Sequence, residues 1–251
     1  ETWYWRVIVS DGAGNTTASG PTTESALVVD TVPPNAFGLV SPAQGTETTA
    51  TSVRLEWSAS SDALSGLASY RLLVSTAPTF DSSLRVDTTL SAADTSEIVA
   101  LYGTETWYWR VIATDDAGNT RAAQADSMLL VDTAAPAAFG LVSPAEGHET
   151  SATTIRFEWG ASSDSALASY RLIVSTAPTF DSSFTVDTTL SAADTAEIVG
   201  LYGTETWYWR VIAADFLGNT TASTADSTLL VDTTPPAAFL LVSPVEGHET
   251  T

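Results

Sequence analysis

Cysteine and lysine are both absent from the 251 residues, and histidine occurs only as His148 and His248. Without Cys there is neither a disulfide framework nor a thiolate zinc site. Without Lys there is no Schiff-base nucleophile. All nine basic residues are Arg, against 30 acidic ones, so the net charge is −21. The acidic share is near ordinary, and the imbalance is a shortage of bases. Such a surface repels polyanions, which excludes nucleic acid and anionic lipid as natural partners. No apolar run reaches the length of a membrane span, so direct membrane insertion is not expected, and no secretory leader is visible. No stretch of helical length keeps an apolar period of about 3.6.

What the chain does contain is itself, repeated. Glu-Thr-Trp-Tyr-Trp-Arg-Val-Ile occurs at residues 1–8, 105–112 and 205–212, and Ser-Thr-Ala-Pro-Thr-Phe-Asp-Ser-Ser at 75–83 and 175–183. Val-Asp-Thr ends at Thr31, Thr133 and Thr233, and Leu-Val-Ser-Pro at Pro42, Pro144 and Pro244. The period is about one β-sandwich domain. With Val-Asp-Thr as the boundary, residues 1–30 are the C-terminal strands of a truncated repeat. Residues 31–132 and 133–232 are complete repeats, and 233–251 carry the first strand of a further one. A longer parent chain is expected.

Within each repeat the apolar period is two. Val53, Leu55 and Trp57 alternate with Arg54 and Glu56, and Tyr70, Leu72 and Val74 alternate with Arg71 and Leu73. Trp107, Trp109 and Val111 oppose Tyr108, Arg110 and Ile112. Gly, Pro, Asp and Ser separate these runs. About seven short strands per repeat predict an all-β fold: tandem two-sheet β-sandwiches of about 100 residues arranged end to end. The Pro-containing linkers, as at Pro33-Pro34 and Pro235-Pro236, predict limited bending between neighbours.

Glu-Trp at Trp57, Ser-Tyr-Arg-Leu at Tyr70, Leu101 before Gly-Thr-Glu-Thr-Trp-Tyr-Trp-Arg-Val, Asp-Asp-Ala-Gly-Asn at Asn119 and Val-Asp-Thr before Pro136 together resemble bacterial fibronectin type III and related immunoglobulin-like repeats. The resemblance spans essentially the whole chain and is specific as a combination. It implies core roles for Trp57, Tyr70 and Leu101. Trp107 stands where the family usually has Tyr and brings no corner hydroxyl. The Arg-Gly-Asp tripeptide of some relatives is absent. The resemblance implies adhesion, spacing or assembly rather than catalysis.

No catalytic residue is assigned. Glu-Gly-His-Glu-Thr around His148 reads as an exposed turn, and Asp115 with Asp116 sits beside a Gly-Asn turn rather than across a pocket. Three other features invite a role. Asp11, Asp115 and Asp215 of the Gly-Asn turns, with the linker carboxylates Asp30, Asp132 and Asp232, are the candidate ligands for calcium, the one cofactor considered, which takes about six to eight oxygens. The competing reading is a plain hairpin turn. Asn15 and Asn219 begin Asn-Thr-Thr sequons, whereas Asn119-Thr120-Arg121 does not fit. Arg71, Tyr108 and Arg110, with Arg171, Tyr208 and Arg210 as their copies, form a stripe on one sheet face. The stripe reads either as cross-strand pairing or as a contact surface for acidic loops such as Asp87, Asp94 and Glu97 of a neighbouring chain.

The expected function is a non-catalytic stalk, spacer or fibre body, extracellular or on a cell surface. The expected partners are other surface proteins or polysaccharides, or the chain itself as a homo-oligomer or fibre. The alternative is a set of accessory repeats of a large secreted polysaccharide-degrading enzyme.

Overall fold

The computed structural model describes residues 1–19, 25–81, 83–181 and 184–240. The chain divides into two compact units, 1–134 and 135–251. Residues 1–30 contribute β1 (Thr2–Trp5), β2 (Ile8–Ser10), β3 (Thr16–Ala18) and β4 (Ser25–Val28). β1 pairs antiparallel with β4, and β2 with β3.

The rest of the first unit is a two-sheet sandwich. Its strands are β5 (Leu39–Ser41), β6 (Thr46–Thr48), β7 (Ser52–Trp57), β8 (Leu67–Ser75), β9 (Leu84–Ser91), β10 (Ser96–Ala100), β11 (Glu105–Asp115), β12 (Thr120–Ala122) and β13 (Ser127–Val131). One sheet has the order β5-β7-β10, and the other β6-β13-β11-β8-β9 with β12 also paired to β11. Nine strands appear where about seven were expected because two of them split. The first strand leaves one sheet after β5 and joins the other as β6, turning at Gly45 with φ +78°, a left-handed conformation that glycine tolerates without strain. The strand after the last hairpin likewise divides into β12 and β13.

The second unit repeats this plan with β14 (Leu141–Ser143), β15 (His148–Thr150), β16 (Thr154–Trp159), β17 (Leu167–Ser175), β18 (Phe184–Ser191), β19 (Ala196–Gly200), β20 (Glu205–Asp215), β21 (Thr220–Ala222) and β22 (Ser227–Val231). Its sheets are β14-β16-β19 and β15-β22-β20-β17-β18, with β21 on β20. The strand expected at 233–251 lies, from residue 241 on, outside the described residues. All elements of the described residues are strands, so none is a helix long and apolar enough to cross a membrane.

Period-two alternation places the core. Val53, Leu55 and Trp57 of β7 meet Tyr70, Leu72 and Val74 of β8 and Trp107, Trp109 and Val111 of β11 between the sheets. Tyr70 is the hub: its ring packs edge-on against Phe37 at 5.6 Å and Trp57 at 5.7 Å, an arrangement aromatic quadrupoles favour. Its hydroxyl accepts the Ser60 N–H at 2.5 Å, and Tyr170 does the same for Ser162 at 2.6 Å. The buried hydroxyl bond that Trp107 cannot make is thus made from the neighbouring strand, and it pins the loop between β7 and β8. In the second unit Phe157 replaces Leu55 and packs on Trp209 at 4.9 Å.

Candidate functional site

The loop that Tyr70 pins and the hairpin between β11 and β12 together grip the segment entering the first sandwich. Asn35 donates its backbone N–H to Ser61 O at 2.8 Å, Ser60 Oγ donates to Asn35 O at 2.6 Å, and Arg121 donates to Pro34 O. Further upstream, Asp30 uses both carboxylate oxygens. Oδ1 accepts the Val32 N–H at 2.9 Å, closing an Asx turn, while Oδ2 accepts Ser65 Oγ at 2.7 Å and Ser65 N at 3.2 Å. Asn119 closes the grip from the hairpin, its Nδ2 reaching Asp30 O at 3.3 Å and Val32 O at 3.4 Å. Within the second unit Ser162 Oγ donates to Ala137 O, Thr221 Oγ1 to Pro136 O, and Ala137 N to Ser163 O. This is the same cradle with Thr in place of Arg121.

The exit is held as well. Thr104 Oγ1 donates to Asp132 Oδ1 at 2.9 Å and accepts the Thr133 and Ala134 N–H groups, while Ala134 N also donates to Asp132 Oδ1 at 3.0 Å. In the second unit Thr204 contacts Asp232, and Thr234 N donates to Asp232 Oδ1 at 2.8 Å.

Of the six proposed calcium ligands, Asp30 and Asp115 come together, and Asp62 joins them: one oxygen of each lies within 4.8 Å of the others. Sequence reasoning missed Asp62, although Ser-Ser-Asp recurs at residues 60–62 and 162–164. These oxygens are already well supplied with donors. Asp62 Oδ1 accepts from Leu64 N, Ser65 N and Gly66 N, and Asp115 accepts from Asn119 N and Nδ2. The Leu64 N–H, ahead of the other donors, holds the Asp62 carboxyl below the ordinary aspartate range. Asp11 and Asp215 each sit in their own turn, bonded to Asn15 and Asn219 respectively. The Asn15 side chain is the main reason that Asp11 also titrates low. Asp132 and Asp232 serve the exit clamps.

The sequon asparagines are structural members of the same turns. Asn15 Nδ2 donates to Asp11 Oδ2 and Asn219 Nδ2 to Asp215 Oδ2, both at 2.7 Å. A glycan at either nitrogen would compete with that bond.

The Arg stripe lies on the outer face of the larger sheet, and its guanidinium groups have partners within their own repeat. Arg71 forks onto Asp87 with both bonds at 2.7 Å, and Arg171 onto Asp187 with both at 2.6 Å. Arg110 forks onto Asp126 and lies over the Phe80 ring at 4.6 Å; Arg210 does the same with Asp226 and Phe180, at 4.2 Å from the ring. Hydrogen bonds from Arg71 and Arg171 lower the carboxyls of Asp87 and Asp187 below their ordinary range, and the bonds to Asp87, Asp126 and Asp187 raise Arg71, Arg110 and Arg171 respectively. Phe80 and Phe180 adopt φ of +57° and +54°, unusual for a bulky residue, and both are buried. Leu73, opposite Arg110 in register and expected to project outward, is buried on this face outside the main core. Tyr108 and Tyr208 stay half-buried on the central strands β11 and β20.

His148 is exposed but begins β15 rather than sitting in a turn, paired with Leu229. An open groove of about 430 Å³ runs past Val40, Pro42, Gln44, Asp126 and Ser127, and one of about 280 Å³ occupies the matching place in the second unit. Its carboxylate, Asp126 or Asp226, is the one that holds the stripe Arg.

No family model matches the chain, and no curated protein does. Among solved structures, fibronectin(III)-like modules of Clostridium thermocellum CbhA are 12% identical, with a TM-score of 0.42, covering 78% of this chain and 93% of that one. The chicken CNTN1 FN1–FN3 domains are 11% identical, with a TM-score of 0.41, covering 90% and 76%. A two-domain fibronectin type III segment of chicken tenascin is 15% identical, with a TM-score of 0.31, covering 79% and 99%. The sandwich assignment rests on the strand order and core described above.

Proposed function

We propose that this chain is a non-catalytic structural array, the spacer or stalk of an extracellular or cell-surface protein. The observation that carries this reading is the treatment of the linkers. Side chains that could serve a ligand are spent on holding the peptide at both poles of a repeat: Thr104 and Asp132 at the exit, Ser60, Ser65, Asn119 and Arg121 at the entrance. A linker tied by hydrogen bonds to the adjoining sandwich, with Pro restricting φ, has less local freedom than an untied one. The acidic surface suits crowding at high local density, because equal charges keep arrays apart.

The test is small-angle scattering of the whole chain combined with ¹⁵N relaxation. The spacer reading predicts an extended particle in which the amides of 30–36 are as rigid as those of β7. Asn119→Ala should raise fast motion at Val32 while leaving β7 unchanged. A folded-back particle, or a linker already mobile in the native chain, would remove the basis of the proposal.

A further inference from the structure

Every open sandwich has sheet edges, and stable proteins blunt them by making them short, charged or covered. In the first repeat β5, β6 and β12 are three residues each, and β10 is five with Glu97 in it. β9 is different. It runs for eight residues, Leu84–Ser91, and among the described residues it pairs only with β8. Its copy β18 is equally long and pairs only with β17. Neither contains proline, and the run Val-Asp-Thr-Thr-Leu-Ser-Ala-Ala-Asp-Thr is identical at 86–95 and 186–195.

Charge decides what can approach these edges. A second copy of a chain with net charge −21 is repelled over most of its surface. On β9 and β18 the one acidic residue is already neutralised, Asp87 by Arg71 and Asp187 by Arg171. Of the other outward positions, Arg85 on β9 lies over the Tyr102 ring at 4.8 Å and has Thr185 as its counterpart on β18, while Thr89, Ser91, Thr189 and Ser191 are uncharged and exposed. Val and Thr suit a pleated surface, and Thr side chains pair with one another across strands.

We infer that β9 and β18 are self-association edges, through which a second copy of this chain adds its own β9 or β18 antiparallel and continues the larger sheet across the two molecules. Each chain offers the edge twice, so a contact weak in one repeat is reinforced when both engage. The contact uses backbone hydrogen bonds of the edge and leaves the Arg–Asp pairs of the stripe in place. It stands apart from the spacer role, which a strictly monomeric chain would still satisfy.

Analytical ultracentrifugation of the whole chain over a concentration series, with hydrogen exchange on the same samples, tests this. The expected result is reversible association accompanied by slowed exchange within 84–91 and 184–191. Thr89→Asp with Thr189→Asp adds like charge at both edges and should abolish association. Ser52→Asp with Thr154→Asp adds equal charge on the opposite sheet and should leave it intact. A chain that sediments as monomer at every concentration overturns the inference. So does equal loss of association in both double variants. Protection confined to residues 2–9, where Trp3 and Trp5 are exposed, would place the contact elsewhere and also overturn it. The exchange pattern of the native chain decides the matter even if an edge variant fails to fold.

Discussion

The octapeptide at residues 1–8 and its copy at 105–112 are identical in sequence, yet they lead different lives. At 105–112 it lies within β11, an unbroken strand of eleven residues between β8 and β13, and Trp107 and Trp109 are 5% and 0% exposed. At 1–8 the strand breaks after Trp5 and resumes at Ile8, and Trp3 and Trp5 are 59% and 57% exposed. Both copies keep the hairpin partner: Thr2 to Trp5 pair with β4 as Glu105 to Trp109 pair with β13. Within these 251 residues only the copy at 105–112 has a β8 and an opposing sheet beside it. Hairpin pairing is therefore encoded locally, whereas strand continuity and burial are conferred by strands distant in sequence, as expected when β propensity mostly reports packing.

The sharpest way to break that comparison is to make the same change in both copies. Trp109→Ala should destabilise the first sandwich by about 3–5 kcal/mol, because it empties a fully buried site that cannot collapse. Trp5→Ala in the same 251-residue chain, where the side chain is exposed, should stay within about 0.5 kcal/mol. Calorimetry of the two variants is the check, and the transition of the second sandwich serves as an internal reference. Equal effects from the two changes would mean that the octapeptide carries its stability locally and that the opposing sheet contributes little.

The same distinction explains how much was legible in the sequence. The sandwich class, the inward rows of β7, β8 and β11 and the core Trp residues follow from a period of two, which is a local property. On the outer face, alternation alone does not give the contacts. Asp87 looked like an acceptor for a neighbouring chain, yet the β8–β9 register sets it opposite Leu73, diagonal to Arg71, within reach of a long side chain. That pairing depends on the length of the connecting loop and on the bulge near Ser75. Phe80 at positive φ, and the burial of Leu73 on the same face, have no signal in a pattern of apolar residues. Asp62 escaped for a related reason: its closeness to Asp30 and Asp115 joins three segments that meet only after folding.

A smaller effect separates the sandwich from the isolated turn by pH. Asp62, Asp87 and Asp187 titrate below the ordinary value of 3.8 because N–H and guanidinium donors favour the charged form. A carboxyl lowered in the folded state contributes stability that is fully present above its unfolded value. That contribution is lost as pH falls through the folded value. The melting temperature of both sandwiches should accordingly be insensitive to these groups above the ordinary value and fall below it. Asp11 is lowered too, by Asn15, but its turn lies in residues 1–30, which have no opposing sheet among the described residues. Its protonation should be visible in the amide shifts of Ala13 and Asn15 without moving either melting transition. Melting curves recorded alongside an NMR titration check both halves of the expectation.

The smallest expected effect concerns calcium, and it again sets one turn against its copy. Asp11 and Asp115 occupy equivalent Gly-Asn turns, but among the described residues only Asp115 has two further carboxylates, Asp30 and Asp62, close by. A hard cation would need about six to eight oxygens, so three carboxylates would have to be supplemented by carbonyls or water. Here the Asp30 and Asp115 oxygens and Asp62 Oδ1 accept hydrogen bonds from Val32, Ser65, Leu64, Gly66 and Asn119, and a bound ion would displace several of these donors. Calcium at millimolar levels is thus expected to give the shallow response of added salt, with no saturable heat and no difference between the native chain and Asp62→Asn. Asp62→Asn itself should be mildly destabilising, since the amide oxygen can still accept from Leu64 and Ser65 but more weakly than the carboxylate does. The opposite outcome is equally clear. A saturable calorimetric heat that vanishes in Asp62→Asn, with Asp11→Asn leaving it untouched, would show that the three-carboxylate cluster takes a cation and that its hydrogen bonds are those of the metal-free state.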